Sequence, residues 1–217
     1  FTLGAALWLL FAQRGKNENR HPPGGKRSFP SFGLLKNREI FLAMTGSVLN
    51  SFSNDRIFTF LPLLLIAKGI DPKSIAGFAL GFTVGSFLGK MACGRFVDRF
   101  GSRTVFIAAE LILTALIAIL IASTSLPAVV VVALLLGIVT KGTVPVIQAI
   151  ITEPVSGSAD YDDVFAINSF LRGVNSMLTP LLFGMVAATW SMDAVYVIMA
   201  AVAALAAIPV WMMKKAG

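Results

Sequence analysis

Among the ionisable side chains within the apolar stretches of this sequence are Asp55, Arg56, Lys141 and Arg172. In hydrocarbon, such a group costs several kcal/mol unless it is paired or hydrated. A carboxylate there can take up and release a proton, and an ammonium or guanidinium group can bind an anion. The four residues therefore predict a hydrated, charged path between membrane helices.

Amide side chains accompany these charges along the chain. At a rise of roughly 1.5 Å per residue, Asp55, Lys141 and Arg172 lie roughly 22, 16 and 13 Å from one face of the membrane, so the three can meet. We predict a substrate cavity formed by Asn50, Asn54, Asp55, Arg56, Lys141, Gln148, Asn168, Arg172 and Asn175.

Each of these charges also has a structural interpretation. Asp55 and Arg56 are neighbours, so their side chains diverge by about 100° on a helix and one of them can pair with another helix. Two interpretations of Asp55 are equally compatible with the sequence. It can form a purely structural ion pair with Lys141, or it can serve in proton coupling. Arg172 lies close enough to a membrane surface for its side chain to extend there.

The elements that carry these residues are apolar segments long enough to cross a bilayer. The sequence is 56% hydrophobic and 13% charged, with a mean hydropathy of +0.81, which is too apolar for a soluble domain. A span needs roughly 20 mostly apolar residues. We predict six spans, at 40–67, 75–92, 104–121, 127–151, 164–188 and 194–213.

The domain organisation follows from these spans. Residues 1–13 are expected to be the end of a truncated membrane helix, 14–38 a basic linker and 39–217 a bundle of six transmembrane helices. Of the 18 lysines and arginines, only Lys68 and Lys73 fall in loops on the side opposite the linker. By the positive-inside rule, the linker and both ends of the chain are predicted to be cytoplasmic.

Other classes of protein fit the sequence less well. The net charge of +7 lies in short loops and forms no basic helix face, which argues against nucleic-acid binding. A membrane-embedded enzyme would need a metal cluster or a Ser–His pair at membrane depth. The only histidine, His21, lies in the linker, and the only cysteine, Cys93, has no ligand-like neighbours. We predict no enzyme activity, cofactor or metal; a channel or structural subunit is a further alternative.

The linker between the second and third spans carries a specific motif. Residues 94–103 read Gly-Arg-Phe-Val-Asp-Arg-Phe-Gly-Ser-Arg. This pattern closely resembles the G-x-x-x-D-R-x-G-x-R cytoplasmic loop of major facilitator superfamily transporters, although Ser102 stands where a basic residue is usual. The resemblance implies an all-α membrane fold in which this chain is the carboxy-terminal six-helix half, partnered by an amino-terminal half of the same transporter.

In that family, the loop aspartate latches the two halves together in one conformation and releases them in the other. The resemblance gives this role to a group formed by Gly94, Asp98, Arg99, Gly101 and Arg103. Both glycines are expected to adopt backbone conformations that a side chain would penalise. The resemblance also makes the third span peripheral, so we expect Glu110 to pair with a loop arginine. A solvated loop that only anchors topology is the alternative.

Four glycines recur every fourth residue in the second span: Gly77, Gly81, Gly85 and Gly89. Residues four apart lie on nearly one face of a helix, and such small-residue stripes let membrane helices approach closely. The stripe predicts a helix-packing surface, either static or one on which helices slide.

The function that these features favour is secondary active transport of a small solute across the cell membrane by alternating access. The excess of Arg56, Lys141 and Arg172 over Asp55 favours an organic anion, and Asp55 offers a route to proton coupling. The alternative is multidrug or antibiotic efflux by proton antiport. The expected partners are the lipid bilayer, the amino-terminal half, the substrate and protons, with no nucleic acid.

Overall fold

A computed structural model describes residues 32–71, 75–156 and 160–214, and all regular structure in these ranges is helical. The α-helices are α1 (Arg38–Asn54), α2 (Ile57–Ala67), α3 (Ile75–Phe100), α4 (Ser102–Ala122), α5 (Leu126–Thr152), α6 (Tyr161–Thr189) and α7 (Met192–Trp211). The predicted all-α fold is thereby confirmed. The predicted truncated helix at 1–13 and most of the linker lie outside the described residues.

The first predicted span, 40–67, is not one continuous helix. It is divided into α1 and α2 by a turn at Asp55 and Arg56. Asn37 caps the start of α1, since its side-chain oxygen accepts a hydrogen bond from the Glu39 backbone N–H at 3.0 Å. The break places two charged side chains where the helical repeat is interrupted.

The other spans are long single helices. α4, α6, α7 and the segment Leu126–Val155, which contains α5, are long and apolar enough to cross a membrane. α3 has 26 residues, and it continues eight residues beyond the predicted span, through most of the loop motif. Counting α1 and α2 as one interrupted helix, the described residues form a six-helix bundle, and four of its helices are long and apolar enough to cross a membrane.

Apolar side chains pack into two clusters at different levels of the bundle. One combines the early residues of α1, α4 and α6 with the late residues of α5 and α7. The other combines α2 with the late part of α4 and the early parts of α5 and α7. Between these levels lies a set of buried polar side chains, which we call the polar layer: Ser47, Asn50, Ser51, Ser53, Asn54, Glu110, Thr140, Thr143, Asn168 and Thr179.

The glycine stripe of α3 lies mainly against α5. A Cβ atom at Gly85 would fall on the Leu134 carbonyl oxygen, and one at Gly89 would fall on the Ile138 carbonyl oxygen. At Gly81 the nearest atom would be the Val130 carbonyl oxygen, at 3.3 Å. The backbones of α3 and α5 therefore approach closely at these three glycines.

Gly77, the first member of the stripe, differs from the other three. A Cβ atom there would meet nothing within 4 Å. The contact with α5 thus begins one turn further along α3, and α5 contributes to it with glycines of its own. A Cβ at Gly137 would fall on the Phe82 carbonyl oxygen, and one at Gly142 would fall on the Cys93 sulfur.

Candidate functional site

Helices α1 and α6 face each other with polar side chains. The Ser47 hydroxyl donates to the Asn168 side-chain oxygen at 2.7 Å. Further along both helices, the Asn175 amide donates to the Ser51 hydroxyl at 2.8 Å. Since both bonds join side chains of different helices, they fix how α1 and α6 are aligned. Such bonds are favoured where lipid excludes water.

Beyond these bonds, both charged residues of the helix break bind to α6. The Arg172 guanidinium forms an ion pair with the Asp55 carboxylate at 2.9 Å, with side chains 25% and 38% exposed. Arg56 donates to the Ser176 carbonyl oxygen at 2.6 Å and also to the Ser176 hydroxyl. The Arg56 Nε atom is buried without a hydrogen-bond partner among the described residues.

The suggested bridge between Asp55 and Lys141 does not form, and that interpretation is wrong. Asp55 pairs with Arg172 instead. Asn54, one residue before Asp55, donates to the Thr140 carbonyl at 3.3 Å and to the Thr143 hydroxyl at 3.1 Å. Lys141 lies between these two threonines, is half-buried, and has no hydrogen bond or ion pair within the described part of the chain.

The expectation that Glu110 pairs with a loop arginine is wrong. The residue is fully buried, and its Oε1 accepts a hydrogen bond of 2.5 Å from the Asn50 amide. The arginine at the start of the same helix, Arg103, donates instead to the Trp211 carbonyl. The carboxyl group lies about two helical turns from Arg103, too far inside the bundle to reach the loop.

A cavity of about 410 Å³ lies between α5 and α6, which is within the usual size range of small-molecule pockets. Apolar side chains from both helices share its walls with amide, hydroxyl and guanidinium groups. It is lined by Val144, Ile147, Gln148, Phe165, Asn168, Ser169 and Arg172. Arg172 connects this cavity to the Asp55 ion pair.

The nine residues predicted to form a cavity thus fall into separate groups. Gln148, Asn168 and Arg172 line the cavity, and Asp55 contacts it through Arg172. Asn50, Asn54, Arg56 and Asn175 bind neighbouring helices, and Lys141 is outside the lining.

The loop motif is mostly helical. Gly94 lies inside α3 with no positive φ, so the expectation of an unusual backbone there is wrong. Gly101 alone makes the turn between α3 and α4, with φ +80°, which a side chain would strain. The Arg99 guanidinium lies 5.4 Å from the centre of the Phe100 ring.

Asp98 and Ser102 lie on either side of this turn. Asp98 is exposed and forms no hydrogen bond or ion pair within the described residues. The Ser102 hydroxyl donates to the Glu153 carboxylate at 3.0 Å. The position where a basic residue is usual is therefore next to an acidic group at the end of α5.

Sequence reasoning missed three serines that bind predicted site residues, two of them in the polar layer and one, Ser176, exposed on α6. Ser47, Ser51 and Ser176 each bind a predicted site residue. A signal for them exists in the sequence, because Ser47, Ser51 and Asn54 follow the spacing of one helix face. Polar residues that keep this spacing within an apolar span indicate a face turned towards protein.

The fold and this layer define an all-α, multi-pass membrane protein with buried polar side chains between its helices. The sequence model of the Major Facilitator Superfamily matches residues 43–216. The chain therefore belongs to this superfamily of membrane transporters. It is 30% identical over 97 residues to proteins described as uncharacterized MFS-type transporters, in Yersinia pestis (strain Pestoides F) and Yersinia pseudotuberculosis serotype O:1b (strain IP 31758). Each match covers 45% of this chain and 24% of the relative.

Proposed function

We propose that this chain is the carboxy-terminal half of a proton-coupled secondary transporter that moves a small organic anion by alternating access. The observation that carries the proposal is the Asp55–Arg172 ion pair, with a distance of 2.9 Å, beside a cavity that Arg172 itself lines. A carboxylate and a solute anion can compete for the same guanidinium group there.

The coupling step follows from the charges of this pair. While Asp55 is ionised, its carboxylate holds Arg172. When Asp55 takes up a proton, the pair loses most of its attraction, and the Arg172 guanidinium becomes available to a carboxylate or phosphate on the solute. Proton and anion then bind together. The side chain of Asp55 is 38% exposed, so that water can reach it.

Lys141 supplies a second attraction for an anion. Its ammonium group makes no ion pair with the described residues, and Arg56 is already held by Ser176. The interior thus keeps more positive than negative charge. An unpaired cation inside a membrane protein is costly, and a bound anion would reduce that cost.

Efflux of cationic or neutral compounds by proton antiport is the second candidate. Val144, Ile147 and Phe165 give the cavity an apolar wall, and the partly exposed Asp55 carboxylate could attract a cation. In this arrangement, proton and solute would exclude each other.

The test is transport by the full-length gene product reconstituted in liposomes with an imposed pH gradient. Internal pH is followed while organic anions, sugars and cationic drugs are supplied in turn. We expect an anion to drive proton flux in the same direction and Asp55→Asn to abolish this coupled flux. Lys141→Ala should raise the KM for the anion about tenfold, the effect of losing one charge-assisted interaction.

Matched variants separate these effects from general damage. Asp193→Asn removes an exposed carboxylate at the start of α7, and Lys90→Ala removes an exposed ammonium group on α3. Both should transport like the wild type. Proton flux opposite to a cationic drug would favour efflux. Unchanged transport in Asp55→Asn and Lys141→Ala would assign their charges to structure only.

We also propose that Gly94, Asp98, Arg99, Gly101 and Arg103 form a latch towards an amino-terminal half at the cytoplasmic face. Support comes from Asp98, which is exposed and forms no hydrogen bond or ion pair with the described residues. Asp98→Asn should slow the exchange between inward-open and outward-open states while membrane insertion stays normal. Distance measurements between spin labels on the two halves would report this rate, and an unchanged rate would contradict the latch.

The proposed orientation in the cell membrane has both ends of the chain in the cytoplasm. Arg38 and Arg103 bind the last carbonyl groups of the α7 region, so their positive charges lie at one end of the bundle. At the other end of the spans, Lys68 donates to the Ile121 carbonyl at 2.5 Å. Labelling of single cysteines introduced near Arg38 and Lys68 from either side of intact cells tests this orientation.

A further inference from the structure

Glu110 has no role in the transport cycle proposed above, and its surroundings are unusual for a carboxyl group. The side chain is fully buried between helices. Its Oε1 accepts one hydrogen bond, from the Asn50 amide on α1 at 2.5 Å. Its Oε2 is buried and has no hydrogen-bond partner among the described residues.

The charged groups on the neighbouring helices do not compensate a charge on Glu110. Arg103, on the same helix, is bound to the Trp211 carbonyl, and Arg56 is bound to Ser176. Asp55 is paired with Arg172.

The remaining ionisable groups around α4 do not reach Glu110 either. Lys141 on α5 forms no ion pair with it, and Lys90 on α3 is exposed. On α7, the Tyr196 hydroxyl donates to the Ile57 carbonyl at 2.7 Å, and Asp193 is exposed at the start of the helix. The other charges of α3 lie near the exposed turn at Gly101. No described cation therefore faces Glu110.

An ionised carboxylate needs a cation or several donors when water is excluded, and one neutral amide does not suffice. A neutral carboxylic acid needs no cation and fewer hydrogen-bond donors. Its carbonyl oxygen can accept the single amide hydrogen bond while the other oxygen carries the proton. The observed environment, with one donor at Oε1 and none at Oε2, fits the acid.

We propose that Glu110 is a proton-binding site, separate from Asp55, which holds its proton on Oε2 while Asn50 binds Oε1. The bound proton stabilises the hydrogen bond that joins Asn50 on α1 to Glu110 on α4. When α1 withdraws Asn50 and water enters, the O–H bond of the acid breaks and the proton passes to water, leaving a carboxylate. No other reactant is needed.

The direct test is infrared spectroscopy of the full-length gene product in liposomes without substrate. We expect the C=O band of a protonated carboxylic acid at neutral pH, its loss in Glu110→Gln, and its retention in Glu153→Gln. Glu153 is the matched control, since its carboxylate lies at the end of α5 and binds the Ser102 hydroxyl. Identical spectra of the wild type and Glu110→Gln would overturn the proposal.

A second variant covers a failure of Glu110→Gln to fold. Asn50→Ala removes the hydrogen bond to Oε1, so the acid band should move to higher frequency. If the band keeps its frequency in Asn50→Ala, it belongs to another carboxyl group, and the proposal is contradicted.

Thermal unfolding at several pH values gives an independent reading. In the unfolded chain the carboxyl is ionised at neutral pH, so the folded protein binds the additional proton. The unfolding temperature of the wild type should therefore fall as pH rises from the titration range of an unfolded glutamate to the pH at which the band disappears, and level off above it, and Glu110→Gln should lose this part of the pH dependence. An equal dependence in both proteins would contradict the proposal. All readings are made without substrate, so they stand apart from the transport test.

Discussion

Two helix contacts in this bundle are built in opposite ways. Between α3 and α5, glycines bring backbones together, and a Cβ atom at Gly85 or Gly89 would fall on a carbonyl oxygen of α5. Between α1 and α6, the contacts are polar, including the Ser47–Asn168 hydrogen bond and the Asp55–Arg172 ion pair. One contact depends on the absence of side chains, and the other depends on particular side chains.

This difference separates what each contact can do. Backbone packing has no alternative arrangement of similar energy nearby, because a carbonyl group in a helix cannot rotate away from a clash. Hydrogen bonds and ion pairs can exchange partners, and protons or charged solutes can enter the exchange. The α3–α5 contact is therefore suited to a rigid unit, and the α1–α6 contact to a surface that responds to ligands.

The largest effect is expected at the glycine contact. Gly89→Val should destabilise the protein by about 3 kcal/mol or more, the upper part of the range for overpacked sites, because the obstructing atoms belong to the Ile138 backbone. Gly77→Val is the matched control on the same stripe, where a Cβ meets nothing within 4 Å. Its stability should change by less than about 0.5 kcal/mol.

The measurement for this pair is the thermal unfolding midpoint of the full-length protein in detergent, together with the monodisperse yield. Equal loss of stability in both variants would mean that the close approach at Gly89 is not what holds α3 and α5 together. The α3–α5 contact would then no longer differ from the α1–α6 contact in depending on the absence of side chains.

An intermediate effect is expected at the ion pair. Arg172→Gln leaves the Asp55 carboxylate without its partner, and it should cost about 1–2 kcal/mol. This lies between the values for exposed and buried pairs, because the two side chains are 25% and 38% exposed. The double variant Asp55→Asn, Arg172→Gln removes both charges and should recover most of this loss.

The measurement is the unfolding midpoint of Asp55→Asn, of Arg172→Gln and of the double variant, each compared with the wild type. A double variant that is less stable than Arg172→Gln would show that the charges contribute through other neighbours, and not through their pairing.

Features that depend on residues close together in the sequence could be predicted, and features that depend on residues far apart in the sequence could not. Apolar spans and the spacing of Gly81, Gly85 and Gly89 are local patterns, so the fold class and a candidate packing face could be predicted from them. The helix break at Asp55 and Arg56 was not predicted, although the polar run before it is visible in the sequence.

Partners in the polar layer depend on which helices are adjacent, and a single sequence does not contain that information. Depth along the span brings Asp55 and Lys141 to levels close enough to meet, yet depth does not give the direction in which each side chain points about its helix axis. Arg172 is at a similar depth and faces Asp55. For Glu110 the wrong partner follows from the resemblance, which makes its span peripheral, whereas the residue is fully buried and the Asn50 amide on α1 binds it.

The smallest effect is expected for a neutral hydrogen bond across α1 and α6. A double-mutant cycle of Ser51→Ala and Asn175→Ala should give a coupling energy of about 0.6 kcal/mol, the average found for such bonds in membrane proteins. The bond length is 2.8 Å, and each side chain comes from a different helix. Unfolding free energies in mixed detergent and lipid measure the coupling.

The control cycle combines Asn175→Ala with Ser86→Ala, because the Ser86 hydroxyl donates to the Phe82 carbonyl of its own helix at 2.7 Å. These two changes should be additive. If the Ser51–Asn175 coupling reached several kcal/mol, the α1–α6 contact would be as rigid as the glycine contact. A rigid contact could not exchange hydrogen-bond partners, and the distinction between a fixed and a responsive surface would fail at this position.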